Sequence, residues 1–235
     1  FEVFRSACGA ETSVHAVNII PGATEFGYDT EPVVRLVGDD VTETENAHAN
    51  AAKSDFDVSL DQLTAVCGNV AAASLVVAWF GDDLRCGTAQ LKPSVETLTK
   101  TTEPALWRVA GLDRADARLV SQDSGGPAFG GTPSDETVIR ALRDIKARGL
   151  KPVFYPFIMM DIPAGNGLAD PSGGSEQSAY PWRGRITCHP APGLAGSPDK
   201  SSALTSQVAA FVGTAQPGHF SISGESVVYS GPAEW

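Results

Sequence analysis

Hydrophobic positions in this chain gather into a few short blocks, and the densest is Leu75 to Phe80, where every residue is apolar. The run is too short for an isolated helix and does not alternate, so it reads as a strand buried on both faces. Gly81 stops it, and Asp82 and Asp83 follow at its carboxyl end. A second block, Lys151 to Met160, has the same character and is followed by Asp161. Pro156 inside it marks a bulge or local break, because proline cannot donate to a ladder.

Between the two blocks the period becomes helical. Val138, Ile139, Leu142 and Ile145 make an apolar stripe over Pro133–Arg148. Thr132 is the expected N-cap, Pro133 the first helical residue, and Gly149 the left-handed stop. Glu136–Arg140 and Arg140–Asp144 lie four apart and support the exposed face. Leu60, Leu63 and Val66 or Cys67 predict a helix over Val58–Val70 capped by Ser59, and Leu204, Val208 and Phe211 or Val212 predict another over Lys200–Val212. Helix, glycine turn, apolar strand and carboxylate form the α-to-β half of a βαβ unit, so the chain reads as α/β with a parallel sheet. Leu91–Val95, interrupted by Pro93, is a loop or edge strand. Trp107–Ala110 and Arg118–Val120 read as a hairpin-like excursion, and Val227–Tyr229 as a further short strand.

Residues 1–57 have a different texture. Val14–Ile20 and Val33–Val37 are strand-like, Pro21-Gly22 is a turn, and 39–55 is polar. The expected organisation is a β-rich segment over 1–57, ending a preceding module, followed by an α/β domain over 58–235. Within the latter, 163–200 is a long loop rich in Gly, Pro and Ser, of the kind that serves a function or an interface.

Composition narrows the classes. The chain has 235 residues and a formal charge of -11, which argues against a nucleic-acid groove. No apolar run approaches the ~18–20 residues of a membrane span. Phe1 and Trp235 do not look like natural termini, which suggests an excerpt of a longer protein. Cys8, Cys67, Cys86 and Cys188 are widely spaced without a C-x-x-C pair, so buried free thiols are expected. A Cys67–Cys86 bridge would need their backbones within about 7 Å.

Several constellations carry chemistry. Asp82, Asp83 and Asp161 end strands in the way that sites of parallel α/β folds do, and a pair of carboxylates is what glycosidic hydrolysis uses. The plainer role of an aspartate after a strand is to form or cap a turn, here with Arg85 as a partner. Trp182, Arg183 and Arg185 fit a carbohydrate-stacking, anion-binding or protein-contact loop. Gln122-Asp-Ser-Gly-Gly-Pro127 is close to the nucleophile motif of chymotrypsin-like proteases, but the α/β pattern contradicts a double β-barrel, and a Gly-Gly turn suffices. His15 and His48 lack convergent ligands, and no phosphate-binding glycine loop is present, so neither metal nor cofactor is expected.

Five segments together carry a resemblance: Ser59–Leu63 (SLDQL), Ser74–Gly87 (SLVVAWFGDDLRCG), Lys92–Glu96 (KPSVE), Gly130–Asp135 (GGTPSD) and Tyr155–Asp161 (YPFIMMD). They resemble the large baseplate "megatron" protein of gene transfer agents and related phage tails, at the start of its glycoside-hydrolase-like TIM-barrel domain. Val17–Pro21 and Glu25–Val33 resemble the segment preceding that domain. The resemblance implies a virus-like particle's tail tip, assembled in the bacterial cytoplasm, and a role in envelope penetration or DNA delivery. It implies contacts with hub and distal-tail proteins, a homo-oligomer around the tail axis, and a cell-surface glycan as a further possible contact. A (β/α)₈ barrel takes about 250 residues and eight strands, so the expectation is a partial TIM-barrel-like domain. The acid and nucleophile of related hydrolases lie on later strands, and no catalytic pair transfers to these residues.

Overall fold

A computed structural model of the chain describes residues 9–21, 24–181, 185–224 and 226–232. The chain divides into two compact units, residues 1–79 with 93–157 and residues 80–92 with 158–235, so the boundary falls within the two long strands.

The fold is mixed α/β around a parallel sheet. Strand β1 (Ala16–Ile19) pairs in parallel with β2 (Ala72–Gly81), from Ala16 opposite Ala72 to Ile19 opposite Leu75. Strand β3 (Lys151–Met160) flanks β2 on its other side. Lys151 N–H donates to Ala71 O and Asp161 N–H to Gly81 O, each at 2.8 Å. The sequence offset is the same at both ends, which only parallel strands give. Leu91–Lys92 adds an antiparallel pairing at the end of β2. The strand anticipated at Val14–Ile20 therefore belongs to the same sheet as the Leu75–Phe80 block.

Helices α1 (Asp55–Val66) and α2 (Asp135–Ala147) form in the two crossovers. Their apolar faces meet β2 in one core: Phe56 and Leu60, Val138, Ala141 and Ile145, and Ala73, Leu75 and Val77. Both helices depart from the predicted starts. Helix α1 begins earlier because Ser54, not Ser59, caps it: its Oγ accepts from Asp57 N at 3.2 Å. Helix α2 begins later because Thr132 is engaged elsewhere, its hydroxyl accepting from Ser94 N at 3.0 Å. Ser134 takes the N-cap position instead. Ala141 rather than Ile139 lies in the core, and Ile139 is exposed. Gly149 ends the helix at φ +79°, as the sequence predicts.

Neither apolar strand is buried on both faces. In β2, Ala73, Leu75 and Val77 are buried while their alternate neighbours are half-buried. In β3, Val153, Phe154, Tyr155 and Ile158 are 39–52% exposed. Strand β3 is the edge of the sheet among the described residues, and an edge tolerates Pro156 without a break in the strand.

The rest of the first unit is a β-rich layer. Val34–Gly38 pairs antiparallel with Val41–Thr44 and with Thr102–Glu103. Its core holds Phe26, Val33, Val95, Ala105, Trp107 and Val109. The anticipated excursion resolves differently: Arg108–Val109 turns back onto Leu112–Asp113, whereas Arg118–Leu119 pairs in parallel with Ser94–Val95. Gln122–Asp123 pairs with Gly126–Pro127 across an exposed turn at Ser124-Gly125, both with positive φ, so the protease-like motif is a tight hairpin.

In the second unit, the long loop after β3 leads to helix α3 (Ser202–Val212). The helix buries none of its residues; Leu204, Gln207 and Phe211 are its least exposed face. Ser226–Tyr229, anticipated as a further strand, joins no parallel sheet but forms an antiparallel hairpin with Phe220–Ser223.

Candidate functional site

The carboxyl ends of β2 and β3 lie side by side, so the aspartates after them occupy one edge of the second unit. Their environments differ sharply. Asp82 is half-exposed and its Oδ1 accepts from Gln90 N at 2.8 Å, closing the loop between β2 and Leu91. Asp161 is buried at 1% exposure, directly behind Met160.

Asp83 is buried and fully engaged. Its Oδ1 accepts from Arg85 N at 2.8 Å, Arg85 Nε at 3.0 Å and Gln177 Nε2 at 2.7 Å. Its Oδ2 accepts from an Arg85 guanidinium nitrogen at 2.6 Å and from Thr88 Oγ1 at 2.8 Å. Burial alone would push this carboxyl up, but the bonds from Arg85, Gln177 and Thr88 outweigh it and hold the pKa at about 2. Asp83 is thus held as an anion at neutral pH, with its acceptor capacity spent on the protein itself. Proton transfer needs a free lone pair and a pKa near the working pH, and Asp83 has neither.

Gln177 completes this arrangement from the long loop. It is fully buried; its Oε1 accepts from Leu84 N at 2.9 Å while its Nε2 donates to Asp83. Beside it, Thr187 N donates to Leu84 O and Cys86 N to Thr187 O, both at 2.8 Å, so a short parallel bridge ties the loop to 84–86. A groove of about 530 Å³ runs between residues 87–91 and Ala210–Ala215, lined among others by Thr88, Gln90 and Phe211. Among the described residues, no ionisable side chain lines it. Of the loop residues singled out by sequence, Arg185 is exposed, while Trp182 and Arg183 lie outside the described residues.

A second constellation, in the first unit, escapes sequence reasoning. Glu25, Glu45 and Glu96 bring carboxylate oxygens within 4.8 Å of one another. Lys100 Nζ sits among them, 3.1 Å from Glu25, 2.9 Å from Glu45 and 2.7 Å from Glu96. Arg114 adds a two-pronged pair to Glu25 at 3.0 and 2.9 Å. Three such carboxylates are a donor set for a hard divalent cation, but the lysine ammonium already holds the central position. Burial lowers the proton affinity of Lys100, and the charges of Glu25, Glu96 and Glu45 more than reverse that. Burial and the Glu25 charge raise the pKa of Glu96, whose buried Oε1 has no hydrogen-bond partner among the described residues.

Sequence offered partial signals for both places. Asp83-Leu-Arg85 has the spacing of a turn in which an aspartate accepts from the second residue on. Glu96 and Lys100 are four apart, but outside any helix. Gln177 and Glu25 come from far along the chain and carry no local mark. Comparison with known proteins finds no matching protein family, and no curated protein matches the chain.

Proposed function

We propose that this chain is a structural component of a phage-like tail baseplate of the gene-transfer-agent kind, located at the tail tip and acting in envelope penetration or DNA delivery. The observation that carries the reading is the sequence resemblance over Ser74–Gly87, Lys92–Glu96, Gly130–Asp135 and Tyr155–Asp161. The engagement of Asp83 supports a structural role over an acid–base one, because its oxygens are consumed by Arg85, Thr88 and Gln177. The charge of -11 suits a surface that DNA passes without being gripped. We read the three parallel strands and two crossover helices as part of a TIM-barrel-like sheet. The exposed apolar edge strand β3 suits a further strand beside it. In this reading the partners are hub and distal-tail proteins and further copies around the tail axis, and the protein is assembled in the bacterial cytoplasm.

The test is to tag the parent protein in producing cells and image purified particles by cryo-electron microscopy. The tag is expected at the distal end of the tail, with hub proteins co-purifying. Particles that lack the chain yet deliver DNA normally would overturn the reading.

Asp161, buried at the end of β3, favours a second reading as part of a hydrolase of cell-wall or capsular glycan. That reading expects the full-length protein to turn over a glycan and Asp161→Asn or Asp82→Asn to slow it. Absence of turnover across a broad glycan panel would remove it.

A further inference from the structure

The parallel bridge that ties the long loop to the end of β2 places two cysteines next to each other. Arg85 pairs with Thr187, and Cys86 N donates to Thr187 O at 2.8 Å. Cys86 and Cys188 are therefore the next residues on two adjacent, parallel segments. Cys86 takes the first step of a turn closed by Thr88 N and Ala89 N on Arg85 O, and Gln207 Oε1 meets both segments, 3.7 Å from Cys86 Sγ and accepting from His189 N at 3.1 Å. Neighbouring strands run about 5 Å apart, inside the Cα separation a disulfide requires. Both thiols are free and buried, at 5% and 3% exposure. Each makes only weak contacts: Cys86 Sγ to Gln207 Oε1 at 3.7 Å, and Cys188 Sγ to Pro190 O at 3.4 Å and Ser197 Oγ at 3.9 Å.

We propose that Cys86 and Cys188 are a redox pair that closes to a disulfide by exchange with a small-molecule or protein disulfide. One cysteine loses its proton to solvent, and its thiolate attacks a sulfur of the external disulfide, forming a mixed disulfide and releasing one thiolate. The second cysteine, deprotonated in turn, attacks the protein sulfur of that mixed disulfide and releases the second thiolate. Two protein thiols are oxidised and one external disulfide is reduced to two thiols, so the electrons balance. Burial, and the nearby Cys188, raise the pKa of Cys86, so exchange is slow until the loop opens locally. Gln207, on α3, also accepts from His189 N at 3.1 Å, and this bond does not depend on the thiol of Cys86. Closure cross-links a loop of about 100 residues, long enough to constrain the unfolded chain strongly.

The test oxidises the intact chain with oxidised glutathione, in urea below the global unfolding transition so that local opening admits the reagent. Thiols are counted after denaturation, and the linked peptides are identified by mass spectrometry. The expected result is a loss of two of the four thiols, one peptide pair joining Cys86 to Cys188, and a rise in melting temperature of about 5 °C or more. Cys86→Ser and Cys188→Ser each abolish the linked pair and the rise, whereas Cys67→Ser keeps both. Four thiols remaining, or a linkage that joins other cysteines in the wild-type chain, would overturn the proposal. Should either serine variant fail to fold, the peptide map of the wild-type chain decides alone.

Discussion

Gln177 and Asp83 share a hydrogen bond of 2.7 Å, and through it a residue in the middle of the long loop reaches the turn after β2. The same amide accepts Leu84 N–H, so one buried side chain serves a charge and a backbone donor at once. Gln177→Leu keeps the bulk and removes both of these bonds, together with the one that Nε2 donates to Ala169 O at 3.1 Å. The expected loss is about 2–3 kcal/mol, mostly the cost of leaving Leu84 N–H buried without a partner and Asp83 short of one. Urea denaturation measures it. A loss under about 0.5 kcal/mol, the scale of an ordinary surface change, would mean that the loop is not held through this residue.

Lys100 is the cation that Glu25, Glu45 and Glu96 share, while Arg114 also pairs with Glu25 and Arg35 with Glu45. Lys100→Met retains most of the apolar stem and removes the charge, leaving Glu25, Glu45 and Glu96 facing one another. Removing one partner of a buried ion cluster costs about 3–5 kcal/mol. The variant should recover stability as pH falls, because Glu96, whose pKa burial and the Glu25 charge already raise, binds its proton more tightly folded than unfolded. In the wild type the raised pKa of Lys100 gives the opposite limit: its contribution is complete below 10.5 and is lost as pH rises through the higher folded value. Thermal melts of both proteins from pH 4 to 11 test this pair of trends. A Lys100→Met deficit that stays constant with pH would contradict it.

These two places show how far the sequence was legible. Apolar blocks located β2 and β3, with β3 anticipated over the same residues, because strand-forming runs declare themselves locally. Burial did not follow, since Phe154 and Tyr155 are apolar yet exposed, and exposure depends on which neighbours a strand has. Helix starts shifted for two reasons: Ser54 caps α1 locally through Asp57 N, ahead of the Ser59 that the pattern offers, and Thr132 is taken by Ser94 N, 38 positions away. Of the candidate site, Asp83 with Arg85 was readable as a turn. Gln177 was not, because its partners lie 93 and 94 positions away.

Acid should expose the contribution of Asp83. Its folded pKa, at about 2, is below the unfolded value of 3.8, so its stabilisation is present above 3.8 and disappears as pH falls toward 2. The shift corresponds to roughly 2 kcal/mol. Glu96 acts in the opposite sense, since its raised pKa makes protonation favour the folded state between that value and 4.5. The wild-type minus Asp83→Asn stability difference should therefore be flat above pH 4 and shrink below it. Chemical denaturation at closely spaced pH values gives this difference, and a flat line down to pH 2 would show that Asp83 is not held as an anion by Arg85, Thr88 and Gln177.

Gly131 belongs to the Gly130–Asp135 segment that carries the sequence resemblance, and its lack of a side chain has a local cause. A Cβ there would lie 2.7 Å from Glu25 Cγ, 2.8 Å from Glu25 Oε1 and 2.9 Å from the Ser94 carbonyl. The carbonyl is fixed, because Thr132 N donates to it at 2.7 Å, and Glu25 is fixed by Lys100 and Arg114. Neither neighbour can yield without breaking a buried bond, so Gly131→Ala should destabilise the fold by about 1–3 kcal/mol, the range for overpacking. Gly68 provides the control, with no atom within 4 Å of its would-be Cβ; Gly68→Ala should be close to neutral. Urea unfolding of the two variants side by side separates this steric effect from the general loss of glycine flexibility. Equal stability of both would remove the close approach at Gly131 as the reason for a glycine there.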